Sequence, residues 1–164
     1  MSAWPWPTTA DVALRAFAPS YESLLIESAL GVQALLASPS GNIAAPNQIR
    51  HYGEWRIQCQ HSPHDKSMLL VTWLEEVLYR QEIHNQWFLD GAVKIENHDS
   101  GLTAVVQVTW VKAEEIEREL EIKAVTTHKL AVEQIAAGVN LPPPDQDVQE
   151  FQGPGWYCDV VFDI

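Results

Sequence analysis

The sequence predicts an α+β fold: a single compact two-layer domain of mostly antiparallel sheet with two amphipathic helices. Two stretches repeat apolar residues with the period of a helix, while most of the remainder alternates apolar and polar residues as a half-buried strand does. Their order is strand, helix, strand, helix and then a run of strands, which favours helices packed on antiparallel sheet. With 164 residues and 46% hydrophobic content, the chain is the size of one ordinary domain, 1–164, and can bury a real core.

Each element has its own signal. Residues 1–8 are expected to be a flexible start. From Asp11 to Ala18, Val12, Leu14 and Ala16 alternate with Ala13 and Arg15, which suits a strand with one buried face, and Pro19 and Ser20 stop it. Tyr21, Leu24, Leu25, Ser28, Ala29, Val32, Leu35 and Leu36 follow helical spacing to about Ala37, with Ser20 as N-cap. Residues 38–47 are rich in Pro, Ser, Gly and Asn and read as a loop. Trp55, Ile57 and Cys59 alternate with Glu54, Arg56 and Gln58 as a half-exposed strand. Asp65 then caps a second helix whose buried stripe is Leu70, Trp73, Leu74, Val77 and Leu78. Alternation from Trp87 to Glu96 and from Leu102 to Lys112, with a turn over 97–101, gives a hairpin. The acidic run 114–121 fits a short helix or a solvated loop, and 120–132 resumes strand character. Residues 135–155, rich in Pro and Gly, read as a surface loop between two strands rather than a domain boundary.

Composition narrows the function. A net charge of -12, with only ten Lys and Arg, argues against direct gripping of phosphates over a broad basic surface, so any link to RNA runs through a partner. An acidic surface can be steered to a basic partner. Cys59 and Cys158 have no Cys-x-x-Cys spacing and read as reduced structural thiols. The first residues lack a basic segment followed by an apolar run, and no window reaches the ~20 apolar residues of a membrane helix. The expectation is a cytoplasmic protein with no membrane association.

The residues with chemical potential are few. Asp11 opens a strand and Asp163 closes one, a single position before Ile164, whose carboxylate adds a second anion at that tip. If their side chains converge, they offer hard oxygen ligands suited to Ca²⁺, Mg²⁺ or Mn²⁺; otherwise each ends its strand in solvent, as acidic residues mostly do. Lys123 shares a strand face with Glu121 and Val125, and is either solvated or a contact for phosphate or a partner. His128 fits a ligand, a proton carrier or a surface group. His61 and His64 lack a third ligand for zinc, and Glu75 and Glu76 fit the wet face of the second helix. No phosphate-binding glycine loop and no nucleophile elbow occurs.

Thr9-Ala10-Asp11, the stretch from Glu121 to His128, and the final Asp163-Ile164 together resemble the archease family. The usual pattern there is His-Thr-Ala-Asp near the start, Glu-(Ile/Val)-Lys-Ala-(Val/Ile)-Thr-Tyr-His late, and Asp-Ile at the end. Ala29-Leu30-Gly31 and Leu69-Leu70 to Trp73-Leu74-Glu75-Glu76 fit the same order. The resemblance implies a non-catalytic activator of the RtcB-type RNA ligase, which joins ends bearing a 2′,3′-cyclic phosphate or 3′-phosphate to 5′-hydroxyl ends, using GTP and a divalent metal. The activator promotes guanylylation and multiple turnover in tRNA splicing and RNA repair. The acidic metal-binding tip of the family carries over to Asp11 and Asp163 with the Ile164 carboxylate, for a divalent ion such as Ca²⁺ (or Mg²⁺ or Mn²⁺). Its functional lysine matches Lys123, with His128 as a further partner or phosphate contact. Thr8 stands where the family commonly has His, Thr127 where it has Tyr, and Ser38 near a frequent Asp, so water or a carboxylate such as Glu76 would complete the ligand set. The alternatives are a metal-dependent hydrolase using the same carboxylates and a general folding helper, which would need an exposed apolar patch.

Overall fold

The computed structural model describes residues 2–8 and 11–164. Its elements are β1 (Ala3–Pro7), β2 (Asp11–Ala18), α1 (Tyr21–Leu36), α2 (Pro39–Ala44), a 3-10 turn (Ala45–Asn47), β3 (His51–Gln58) and α3 (Lys66–Ile83). There follow β4 (Gln86–His98), β5 (Gly101–Lys112), a 3-10 turn (Ala113–Glu115), β6 (Ala124–Val125), β7 (Ala131–Ile135), β8 (Asn140–Leu141), β9 (Phe151–Gln152) and β10 (Gly155–Asp163). Every strand pair is antiparallel, so the α+β expectation holds, with three helices in place of two.

The larger sheet runs β1-β2-β10, with β6 and β7 both pairing along the far side of β10; a second sheet runs β3-β5-β4. Helices α1 and α3 lie against strands of both sheets. Their stripes, Leu24, Leu25, Ala29, Val32 and Leu36 on α1 and Leu70, Trp73, Leu74 and Val77 on α3, meet Leu14, Val160 and Phe162 from one sheet and Trp55, Phe88 and Val106 from the other in one core. Burial of that apolar surface is the main stabilising term. Ser20 caps α1, accepting from Ser23 N at 3.1 Å, and Asp65 caps α3, accepting from Ser67 N at 2.8 Å.

Three sequence expectations are corrected and a fourth is refined. The supposed flexible start contains β1, which pairs with β2 from Ala3↔Ala16 to Pro7↔Val12 and buries Ala3. Residues 38–47 are not a loop: Ser38 accepts from Gly41 N at 3.0 Å with Pro39 as first residue, which starts α2. Residues 120–132 are not one strand, since β6 and β7 are separated by a turn with Lys129 at φ 53°. The stretch 135–155, expected as a surface loop between two strands, does lie mostly exposed between β7 and β10, but residues 136–154 are anchored. They fold back over the outer face of the larger sheet, with β8 paired to β9, Phe151 stacked on Phe17 at 4.3 Å, and Val148 buried. Under them lie Ala13, Phe17, Tyr157 and Val161, all buried on the face of the sheet opposite the main core.

Candidate functional site

β10 and β2 pair in a register that runs without a break from Trp156↔Ala18 to Asp163↔Asp11. Directly opposite residues in an antiparallel pair share a face. Phe162, Val160 and Cys158 are wholly buried in the core, so Asp163 and Asp11 stand on the other face, in line with Asp159 and Arg15. Asp163 is exposed and Asp11 partly so. The register thus sets Asp11 and Asp163 opposite one another at one sheet end.

Lys123 joins them from β10's other side. Its N–H donates to Asp163 O at 2.8 Å, and its Nζ donates to Ile164 O at 3.1 Å. Beside it, Thr126 donates twice to Val161 O, from N at 3.0 Å and from Oγ1 at 2.9 Å, so β6 is clamped to the end of β10. The ammonium therefore stands next to the last residue of the chain, where it offsets the negative charge of the tip.

His128 is not brought to this place. Val125 pairs with Phe162 and Ala131 with Asp159, so His128, between them and exposed, is level with the middle of β10. Glu76 is also elsewhere engaged, accepting from Arg80 Nε at 2.6 Å, while the Arg80 guanidinium lies 5.1 Å from the Trp55 ring; it does not complete a ligand set. Ser38 is buried as the cap of α2. Thr9 and Ala10 lie outside the described residues; Thr8 N donates to Asp11 O at 3.1 Å. Among the described residues, no three His, Cys, Asp or Glu side chains come together as a metal cluster. The register leaves Asp11 and Asp163 facing one another, with Ile164 following.

A second arrangement on the same face was missed by sequence reasoning. Arg15 is buried and holds Asp159 with two bonds of 2.6 Å, from Nε and Nη2, while its Nη1 donates to Pro142 O at 2.8 Å. This fork ties residues 136–154 to the sheet. The available signal was an arginine in the middle of an otherwise apolar strand, with an aspartate in the terminal strand to receive it.

Fold and site together define an acidic α+β domain that presents paired carboxylates at the end of a central strand. Residues 6–164 match the model of the Archease protein family (MTH1598/TM1083), and the chain belongs to that family. Protein archease of Methanopyrus kandleri is 29% identical over 134 residues, covering 79% of this chain and 89% of its own length. The solution structure of Methanobacterium thermoautotrophicum protein 1598 superposes with a TM-score of 0.59 over 99% of each chain, at 22% identity, a likeness of fold. No helix is long and apolar enough to cross a membrane among the described residues.

Proposed function

We propose that this protein is a non-catalytic activator of an RtcB-type RNA ligase and that the Asp11 and Asp163 strand end is the part that acts on the ligase. The observation that carries the reading is the register: two carboxylates directly opposite one another, with the Lys123 ammonium at the adjoining residue. Like charges directly opposite across a strand pair destabilise it. A hard divalent cation relieves that repulsion, and an all-oxygen donor set fits Ca²⁺ first, with Mg²⁺ or Mn²⁺ as alternatives.

Asp11 and Asp163, with the Ile164 carboxylate, would hold the ion, which when bound supplies positive charge against phosphate oxygens. These groups fall short of the roughly six to eight oxygens that Ca²⁺ takes, leaving positions for water or for the phosphates of a ligase-bound nucleotide. Lys123 keeps the terminal residue in place and offers a charged donor to phosphate or to the ligase. His128, farther along, would be a partner contact outside the tip. In this reading the activator promotes guanylylation and repeated turnover in tRNA splicing and RNA repair, in the cytoplasm. With a net charge of -12 it meets RNA only through the ligase. None of the seven tryptophans is exposed, so they do not supply the apolar patch that a folding helper would need.

The test is a multiple-turnover ligation assay with the cognate ligase, GTP, Mn²⁺ and a 2′,3′-cyclic-phosphate RNA. Substoichiometric protein should stimulate ligation and should do nothing without the ligase. Asp163→Ala should abolish stimulation and weaken calorimetrically measured Ca²⁺ binding, with an unchanged circular dichroism spectrum. Absence of stimulation by the native chain would sink the activator reading; full stimulation by Asp163→Ala would sink the role of the tip alone.

A further inference from the structure

We propose that the open edge of β3 pairs with the same strand of a second copy of this chain, antiparallel and centred on Trp55. Edge strands present unpaired backbone groups, and proteins guard them with prolines, bulges or interruption. Three edges here carry such guards. β1 contains Pro5 and Pro7; β4 has a register shift between Phe88 and Asp90; the far side of β10 is followed by two separate short strands, so it ends in no continuous edge. β3 has none of these. It pairs with β5 alone and in unbroken register from His51 to Gln58, and no other backbone hydrogen bond is made to it among the described residues.

The side chains select the occupant. Alternation places Tyr52, Glu54, Arg56 and Gln58 on the solvent face and Trp55 and Ile57 in the core. Because opposite residues share a face, the two-fold axis of a symmetric strand pair passes through a residue. With Trp55 on the axis, Glu54 faces the partner's Arg56 and Arg56 faces the partner's Glu54. Moving the axis to Glu54 or to Arg56 sets like charges opposite one another. The strand is thus complementary to itself in one register and repels itself in the neighbouring ones on that face. Arg56 Nη1 lies 3.6 Å from Glu54 Oε2 within the chain, and both heads lean inward over the sheet, Arg56 Nη2 donating to Glu96 Oε2 at 3.3 Å and Glu54 Oε1 accepting from Gln107 Nε2 at 2.9 Å, so pairing requires these exposed side chains to turn toward the partner. Tyr52, 77% exposed, would lie across from the partner's Gln58, and Ile49, 81% exposed just ahead of the strand, would border the pair. An interface of two strands and a few side chains lies at the small, transient end of the range, and its exposed ion pairs are screened by salt.

Sedimentation of the full chain over a concentration series should show a monomer-dimer equilibrium that weakens as salt is added. Glu54→Arg and Arg56→Glu place like charges across the axis twice, and each should raise the dimer dissociation constant by about tenfold. Mixing the two variants in equal amounts restores opposite charges at both positions and should restore native association; circular dichroism verifies that each variant is folded. A dimer indifferent to both substitutions, or variants that do not recover on mixing, overturns the proposal. So does a chain that stays monomeric throughout, in which case the edge is left to an extended segment of another protein.

Discussion

Cys158 shows how one buried group links packing to pH. It faces the core from the central strand, and burial pushes its thiol up from 9.0 to about 12. A group whose folded value lies above its unfolded one stabilises fully below the unfolded value and loses that contribution as pH rises toward the folded one. Urea denaturation should therefore report stability falling as pH rises above about 9. Tyr157, pushed up to about 12 by burial and by its bond to Glu133, and Tyr21, also raised chiefly by burial, add to the loss only above their ordinary value of 10.0. Cys158→Ala should accordingly flatten the first part of the decline, and an undiminished slope there would count against the assignment. At this scale the sequence made Asp11 and Asp163 readable as strand-end residues, while Lys123, expected on a strand face with Glu121 and Val125, lies just ahead of β6. It did not mark Arg15 and Asp159 as partners, since their meeting depends on which residues of two distant strands fall opposite.

Elements were legible where one face is apolar and one is wet. α1, α3, β4 and β5 follow their periodicities closely and both expected caps are formed, whereas β2, expected to have one buried face, is buried on both from Ala13 to Ala18. α2 escaped notice because its Pro-Ser-Gly-Asn start has the composition of a loop, although Ser38 before Pro39 is a helix-start signal. β6 and β7 were misread as one strand because β10's edge takes them as two pieces, a property of the partner strand rather than of residues 120–132. Within α1, Gly31 is fixed by contact with the sheet: a Cβ there would lie 2.7 Å from Ala3 Cβ and 2.9 Å from Leu14 Cδ2. Gly31→Ala gains about 1 kcal/mol of helix propensity in isolation, yet overpacking costs about 1–3 kcal/mol. The expected result is a net loss in denaturant midpoint with an unchanged slope; a stabilised variant would show that β1 yields readily.

For the whole molecule, the larger sheet is covered on both faces, by helices on one side and by residues 136–154 on the other. Composition concealed the second layer, because the segment is rich in Pro and Gly and has few large apolar residues, among them Phe151 and Val148. Arg15 is the fastening between that layer and the sheet. Arg15→Ala leaves Asp159 largely buried and unpaired, and loss of one partner of such a pair costs about 3–5 kcal/mol. Hydrogen exchange should quicken first in residues 136–154; protection retained there in a folded variant would show that the Phe17 and Phe151 stack holds the layer alone.

The central place of β10 also has a consequence in time. Arg15 and Asp159 are 144 positions apart, and β2 is made near the beginning of synthesis while its neighbour in the sheet is made last. At ~5–20 residues per second, translation separates the two strands by roughly 7–30 s. Throughout that interval the nascent β2 has β1 on one side and an open edge on the other, with Leu14 and Ala16 lacking the strand that later covers them. Asp11 and Asp163 meet only with the closing of that edge, so the facing pair is among the last features of the fold to form.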